Sequence, residues 1–94
     1  MHVKWLQAAL NNLNTEAEYI ARDNLDPAER VVKAIVEATE SLARHPSAGR
    51  PGRVTGTREL VIRGTPYVVP YRVRSGVVEI IRVFHGARKW PRHF

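Results

Sequence analysis

The chain has no cysteine in its 94 residues. A disulfide framework, a Cys-ligated zinc site and a thiol nucleophile are therefore excluded. The same absence suits a reducing compartment, and a cytoplasmic location is the expectation. Long apolar runs are missing too. Charged and polar residues break every run well short of the ~18 residues that a membrane span needs. The start, Met1-His2-Val3-Lys4-Trp5, leads straight into amphipathic sequence without the pattern of a cleavable signal. No Gly-rich phosphate loop is present. His2, His45, His85 and His93 lack the spacing of a metal site, so neither metal nor cofactor is expected. Ser41, Ser47 and Ser75 have no accompanying His/Asp pattern in sequence.

Acidic residues are scarce in one half only. Residues 1–48 hold five bases and seven acids, a net charge of −2. Residues 49–94 hold ten bases against Glu59 and Glu79, a net of +8, and nine of those bases are arginine. Arginine presents a planar fork that binds phosphate or carboxylate in bidentate fashion. So one-sided an excess points to a polyanionic partner, either nucleic acid or an acidic protein segment.

The length suits one domain spanning residues 1–94, with a thin core that a partner would help to complete. Val3-Lys4-Trp5 is read as a short first strand. From Leu6 the period changes: Leu6, Leu10, Leu13, Ala17 and Ile20 form one helical stripe, which ends near Arg22. A second helix is expected to start at Asp26 as cap, with Pro27 in the first helical position and Glu29 three residues after the cap. Its apolar face runs from Ala28 to Leu42, and Arg44-His45-Pro46 ends it. The short link makes the two helices an antiparallel hairpin.

Residues 47–57 read as a Gly/Pro/Arg loop. Within it, Gly49-Arg50-Pro51-Gly52-Arg53 has the Arg-Pro core of a minor-groove hook, although a plain helix-to-strand connection accounts for it more simply. The period then becomes two. Strands are expected over Arg58–Arg63, Tyr67–Arg74 and Val77–His85, with a hairpin turn at Arg74-Ser75-Gly76. The resulting order is β-α-α-β-β-β, an α+β fold with an N-terminal helical hairpin packed on one face of a small antiparallel sheet. The last strand is apolar on both faces, with Val78 and Ile80 on one and Ile81 and Val83 on the other. The second face therefore calls for cover by another chain or by the end of this one.

Taken in order, these residues resemble the RelE/ParE superfamily of toxins from bacterial type II toxin–antitoxin modules. The resemblance rests on Trp5 before the helical hairpin, His45-Pro46 with Gly49-Arg50-Pro51-Gly52, and Gly56-Thr57-Arg58-Glu59-Leu60. It continues through Tyr67-Val68-Val69-Pro70-Tyr71-Arg72-Val73 and the run from Val78 to Arg88. It implies a small acidic antitoxin, a toxin–antitoxin hetero-oligomer, and a role in plasmid stabilisation or growth arrest without any membrane association. It also implies one of two targets. ParE-like members inhibit DNA gyrase and are not enzymes. RelE-like members are mRNA interferases that cut messages in the translating ribosome.

Cleavage of RNA without a metal needs a base for the 2′-hydroxyl, an acid for the leaving oxygen and cations for the transition state. In RelE-like members, lysines on the strand after the loop and an arginine early in the next strand supply part of this set. Here those positions hold Glu59, Val61 and Val68. Arg88 matches a nuclease position, and His85, Trp90 and Phe94 are candidates for others. The resemblance therefore leans to the ParE-like members. His85 and Arg88 are the candidate catalytic residues only if the chain is RelE-like. A non-toxic basic interaction module is a further alternative. Candidate residues for gripping target or antitoxin are Arg63, Arg72 and Arg82 on the strands, Lys89 and Trp90 in the tail, and Trp5, Leu10, Leu13 and Ile20 along the first helix.

Overall fold

The computed structural model describes residues 1–94. The elements in chain order are β1 (His2–Trp5), α1 (Gln7–Ala21), α2 (Leu25–Ser41), β2 (Arg50–Pro51), β3 (Arg58–Val61), β4 (Tyr67–Arg74), β5 (Val77–Ile80) and β6 (Phe84–His85). The expected helical hairpin is present, and it packs on one face of the sheet. Ala9 of α1 and Ile35 of α2 meet Val69 and Tyr71 of β4 and Val78 and Ile80 of β5 in a fully buried core.

The cap of α2 lies two residues before the expected Asp26. Asn24 is extended (φ −161°), and its side-chain oxygen accepts from the Asp26 N–H at 3.1 Å. Pro27 consequently falls in the third helical position, still within the first turn, where the helix has no use for its missing N–H. The helix ends at Ser41, and the chain tightens through Leu42–Arg44 with i→i−3 bonds before Pro46. Tyr71, fully buried, pins the connection that follows. Its hydroxyl donates to the Pro46 carbonyl at 2.7 Å and accepts from the Gly49 N–H at 2.8 Å. Gly49 has to be glycine here, because a Cβ would lie 2.6 Å from the Tyr71 ring.

The sheet order is β1-β5-β4-β3-β2, with β6 also pairing β4. Every pairing is antiparallel except that of β1, which lies parallel to β5 with Val3 opposite Val78 and Trp5 opposite Ile80. The sheet is therefore mixed, not antiparallel throughout as expected. The segment expected to be loop supplies β2, which occupies the β3 edge, so β1 pairs at the β5 edge and lays Val3 and Trp5 against the core. At the β4–β5 hairpin, Ser75 (φ 53°) and Gly76 (φ 73°) both adopt left-handed geometry. This two-residue turn matches the right-handed twist of the strands.

The expected strand Val77–His85 is two strands separated by a bulge. Tyr71 pairs with Ile80, but Val68 pairs with Phe84, so one extra residue lies between. Pro70 is the reason. Its carbonyl accepts from the Ile81 N–H at 3.0 Å, but it has no N–H to return. The Val83 N–H instead donates to Asn12 Oδ1 of α1 at 3.1 Å. As a result Val83 joins the helix-side core with Val78 and Ile80 and does not share the Ile81 face.

The end of this chain, one of the two expected sources, covers part of the second face. Phe84 lies on it, with the Trp90 ring 4.8 Å away and the Phe94 ring 6.1 Å away.

Candidate functional site

Beyond β6 the chain turns back toward α1. A small polar cavity of about 180 Å³ opens there between Asn12, Thr15 and Glu16 on one side and His85, Arg88 and Lys89 on the other. Glu16 is only 7% exposed, and Arg88 Nη1 donates to its Oε1 at 2.6 Å. The His85 ring stands edge-on to Tyr67, with centroids 5.7 Å apart. Its Nδ1 accepts from the Ala87 N–H at 3.3 Å, so neutral His85 carries its proton on Nε2. Burial, and after it the negative charge of Glu16, push the Tyr67 hydroxyl above its ordinary pKa, with Arg88 pulling the other way.

Sequence reasoning found His85, Arg88 and Lys89 but missed Glu16 and Tyr67. Glu16 lies one helical turn after Leu13 and beside Ala17 of the α1 stripe, and an acid so close to a core face could have signalled a partner. Tyr67 entered the sequence reading only as the start of a strand and as part of the family motif. The residues at the nuclease positions of the neighbouring strands are placed as follows. Val68 is buried on the second face, and Val61 is exposed. Glu59, only 3% exposed, takes the Arg50 Nε and Nη2 donors at 3.2 and 3.0 Å on one oxygen. Its other oxygen accepts from the Arg53 N–H at 2.8 Å. Arg50 and Arg53 are thus folded onto an acid of their own chain, and the loop does not present them as a groove-entering hook.

The strand arginines do not form a single patch. Arg72 Nε donates to Glu79 Oε1 at 2.7 Å, and Arg74 joins the same carboxylate at 3.2 Å. The Arg72 hydrogen bond, above all, holds the Glu79 carboxyl below its ordinary pKa. Arg82 lies over the Phe84 ring at 5.6 Å. Arg63 follows β3 and sits beside Ala34, Glu37 and Ser41 of α2. Trp90 is stacked under Arg53 at 3.7 Å.

Trp5, Leu13 and Ile20 pack against the core, whereas Leu10 is exposed. The open apolar surface of the hairpin lies elsewhere. A groove of about 530 Å³ runs between the helices, lined by Ala17, Ala21, Leu25, Ala28, Val32 and Val36, with Glu18, Glu29 and Lys33 among its lining. The signal for it was the width of the α2 apolar sector: Val32 and Val36 adjoin Val31 and Ile35, which is more apolar surface than one core-facing stripe needs. No helix is long and apolar enough to cross a membrane.

Comparison with known proteins agrees with this architecture. The chain is 44% identical over 90 residues to Y4kP of Sinorhizobium fredii, covering 96% of this chain and 93% of that protein. It is 38% identical over 86 residues to toxin RelE2 of Caulobacter vibrioides, covering 92% and 96%. Its fold matches a chain of the chromosomal ParDE toxin–antitoxin system of P. aeruginosa with a TM-score of 0.81 at 30% identity, over 90% and 95% of the two chains. It also matches a chain of the toxin–antitoxin complex RelBE2 from Mycobacterium tuberculosis with a TM-score of 0.66 at 31% identity, over 89% and 95%. A family model described as the ParE toxin of the type II toxin–antitoxin system parDE matches residues 3–90. The chain therefore belongs to the ParE toxin family of type II toxin–antitoxin systems, within the RelE/ParE superfamily that its motifs resemble.

Proposed function

We propose that this toxin, a single domain over residues 1–94, arrests growth by inhibiting DNA gyrase and does not cut messenger RNA. The observation that carries this reading is the state of Arg88. It is the one cation at a matching nuclease position, and its guanidinium is committed to the buried carboxylate of Glu16. The other nuclease positions hold Glu59, Val61 and Val68, none of which can donate to a phosphate. Either target would place the protein in the cytoplasm.

A cognate antitoxin holds the toxin inactive. The two structural neighbours come from toxin–antitoxin systems, which supports such a partner. The apolar inter-helix groove suits one amphipathic segment of it, and the basic half suits acidic side chains in the rest.

The convergence of His85 and Arg88 on one cavity, with Tyr67 edge-on to the His85 ring, favours a second reading, a ribosome-dependent endoribonuclease in which His85 moves the proton and Arg88 clamps the phosphate. Expression without the antitoxin separates the two. Failing supercoiling with intact transcripts is the expected result. Cleaved transcripts that need ribosomes, and that disappear in Arg88→Ala, would overturn the gyrase reading. Unslowed growth with neither effect would reduce the chain to a binding module.

A further inference from the structure

The tail after β6 is held to the body in an unusual way. Gly86 N donates to the Pro66 carbonyl at 2.8 Å and Arg88 N to the His85 carbonyl at 3.1 Å, but no backbone hydrogen bond ties any residue beyond Arg88. What holds residues 88–94 is side chains at three points. Arg88 is bound by Glu16 of α1. Trp90 lies between the Arg53 guanidinium at 3.7 Å and the Phe84 ring at 4.8 Å. Phe94 stacks on the far side of the sequence against the same Phe84. Arg53 is itself fixed, with its Nε 3.3 Å from Glu59 Oε2. Two buried acids, one on a helix and one on a strand, thus anchor a basic tail that carries Arg88, Lys89 and Arg92 and no acid of its own.

From this we infer that residues 86–94 form a strap that opens as a unit, with Glu16–Arg88 as its latch and the β6 pairing as its hinge. Opening breaks a single backbone hydrogen bond to the body, Gly86 N to the Pro66 carbonyl, while β6 keeps both its pairs with β4. It is therefore a local transition of the kind that lies well below global unfolding. It uncovers the Phe84 ring, frees the Arg53 face and releases the Arg88 guanidinium, all in one movement. It also leaves the Glu16 carboxylate buried beside Tyr67 without its cation, which drives the strap shut again. Arg88 is 55% exposed in the closed form, so the latch is within reach of solvent and of a competing carboxylate. The strap is independent of which target the toxin has, since it concerns only what the chain does to its own sheet face.

Limited trypsin digestion of the full chain reads the strap directly, because cleavage after Arg88 or Lys89 requires the backbone around the bond to lift off the body and extend into the protease. Cleavage after Arg63, in the β3–β4 turn, serves as the internal reference for the rest of the fold. Glu16→Gln should raise tail cleavage about five- to ten-fold relative to Arg63, the size expected for loss of one partly exposed ion pair. Arg88→Gln, read after Lys89, cuts the same latch from its exposed side without altering the buried one, and should give the same relative rise. Moderate salt should accelerate tail cleavage in the unaltered chain and leave Glu16→Gln unmoved. A tail-to-reference ratio that Arg88→Gln does not change would overturn the latch. So would a rise that is equal at Arg63 and in the tail, since that is loosening of the whole fold.

Discussion

At the scale of single residues, three of the nine acids, Glu16, Glu59 and Glu79, hold arginines of the basic half. Glu59 is buried among Arg50, Arg53 and the Arg53 N–H, and ties the loop after α2 to the sheet. Glu59→Gln keeps the shape but loses the charge that these donors share. It should cost about 1–2 kcal/mol, the lower part of the range for hydrogen bonds to charged groups because both arginines are half exposed. The check is a urea midpoint that falls at unchanged slope. Glu79 gives a pH prediction. Its folded pKa is lowered, chiefly by the Arg72 hydrogen bond. A lowered carboxylate contributes stability that is fully present above the ordinary carboxylate range and is lost as pH falls through the folded value. Acid should therefore destabilise the chain more steeply than it does the Glu79→Gln variant, as followed by denaturant midpoints at descending pH. If the two curves run parallel, Glu79 is not part of the acid transition.

Elements come next. The helices and strands follow from periodicity, but their ends follow from particular side chains. Asn24, not Asp26, caps α2, by accepting from the N–H of its second residue, Asp26. Asn24→Ala should therefore lower stability by about 1 kcal/mol, whereas Asp26→Ala should cost only the smaller helix-dipole contribution. Thermal melts of the two variants decide between the caps, and a larger loss for Asp26→Ala would restore the cap expected from sequence. The sequence pattern favoured Asp26 because Pro27 and Glu29 follow it in the positions of a capping box. The fold overrode this because the turn from α1 leaves Asn24 extended, with its amide aimed into the helix start. The bulge at Ile81–Val83 has a similar origin. A continuous apolar run carries no mark of the missing N–H on the facing strand, so Pro70 could be seen in the sequence but its partner could not.

On the scale of the whole molecule, the two halves of opposite charge become two surfaces. The acidic half is the hairpin, whose outer groove is apolar and flanked by Glu18, Glu29 and Lys33. Under the proposed function this groove receives one antitoxin segment. Val32→Glu should then weaken the complex by at least ten-fold with little effect on the isolated fold, because Val32 lies in the groove and outside the buried core. Binding titration against the antitoxin, with circular dichroism of the free variant, tests this. Unchanged affinity would put the antitoxin elsewhere. The basic half does not form one free patch. Arg72, Arg74, Arg50, Arg53 and Arg88 all have acidic partners within the chain, and the excess that remains for a partner is smaller than the net charge of +8 in that half suggests.

The sequence by itself determined the helical hairpin, the strands β3, β4 and β5 that follow it, the β4–β5 turn and the family, because these depend on local period, turn chemistry and motif spacing. It also placed His85 and Arg88 together, since they are three residues apart at the end of one strand. Only the tertiary structure decided that β1 runs parallel beside β5, that Val83 turns to the helix side, and that Glu16 and Tyr67 complete the cluster around Arg88. The physical reason is separation along the chain. Glu16 and Arg88 are 72 residues apart, and nothing in either neighbourhood encodes the other. Their meeting follows from the way the hairpin lies across the sheet, which brings the buried carboxylate on α1 to the point where the chain leaves β6.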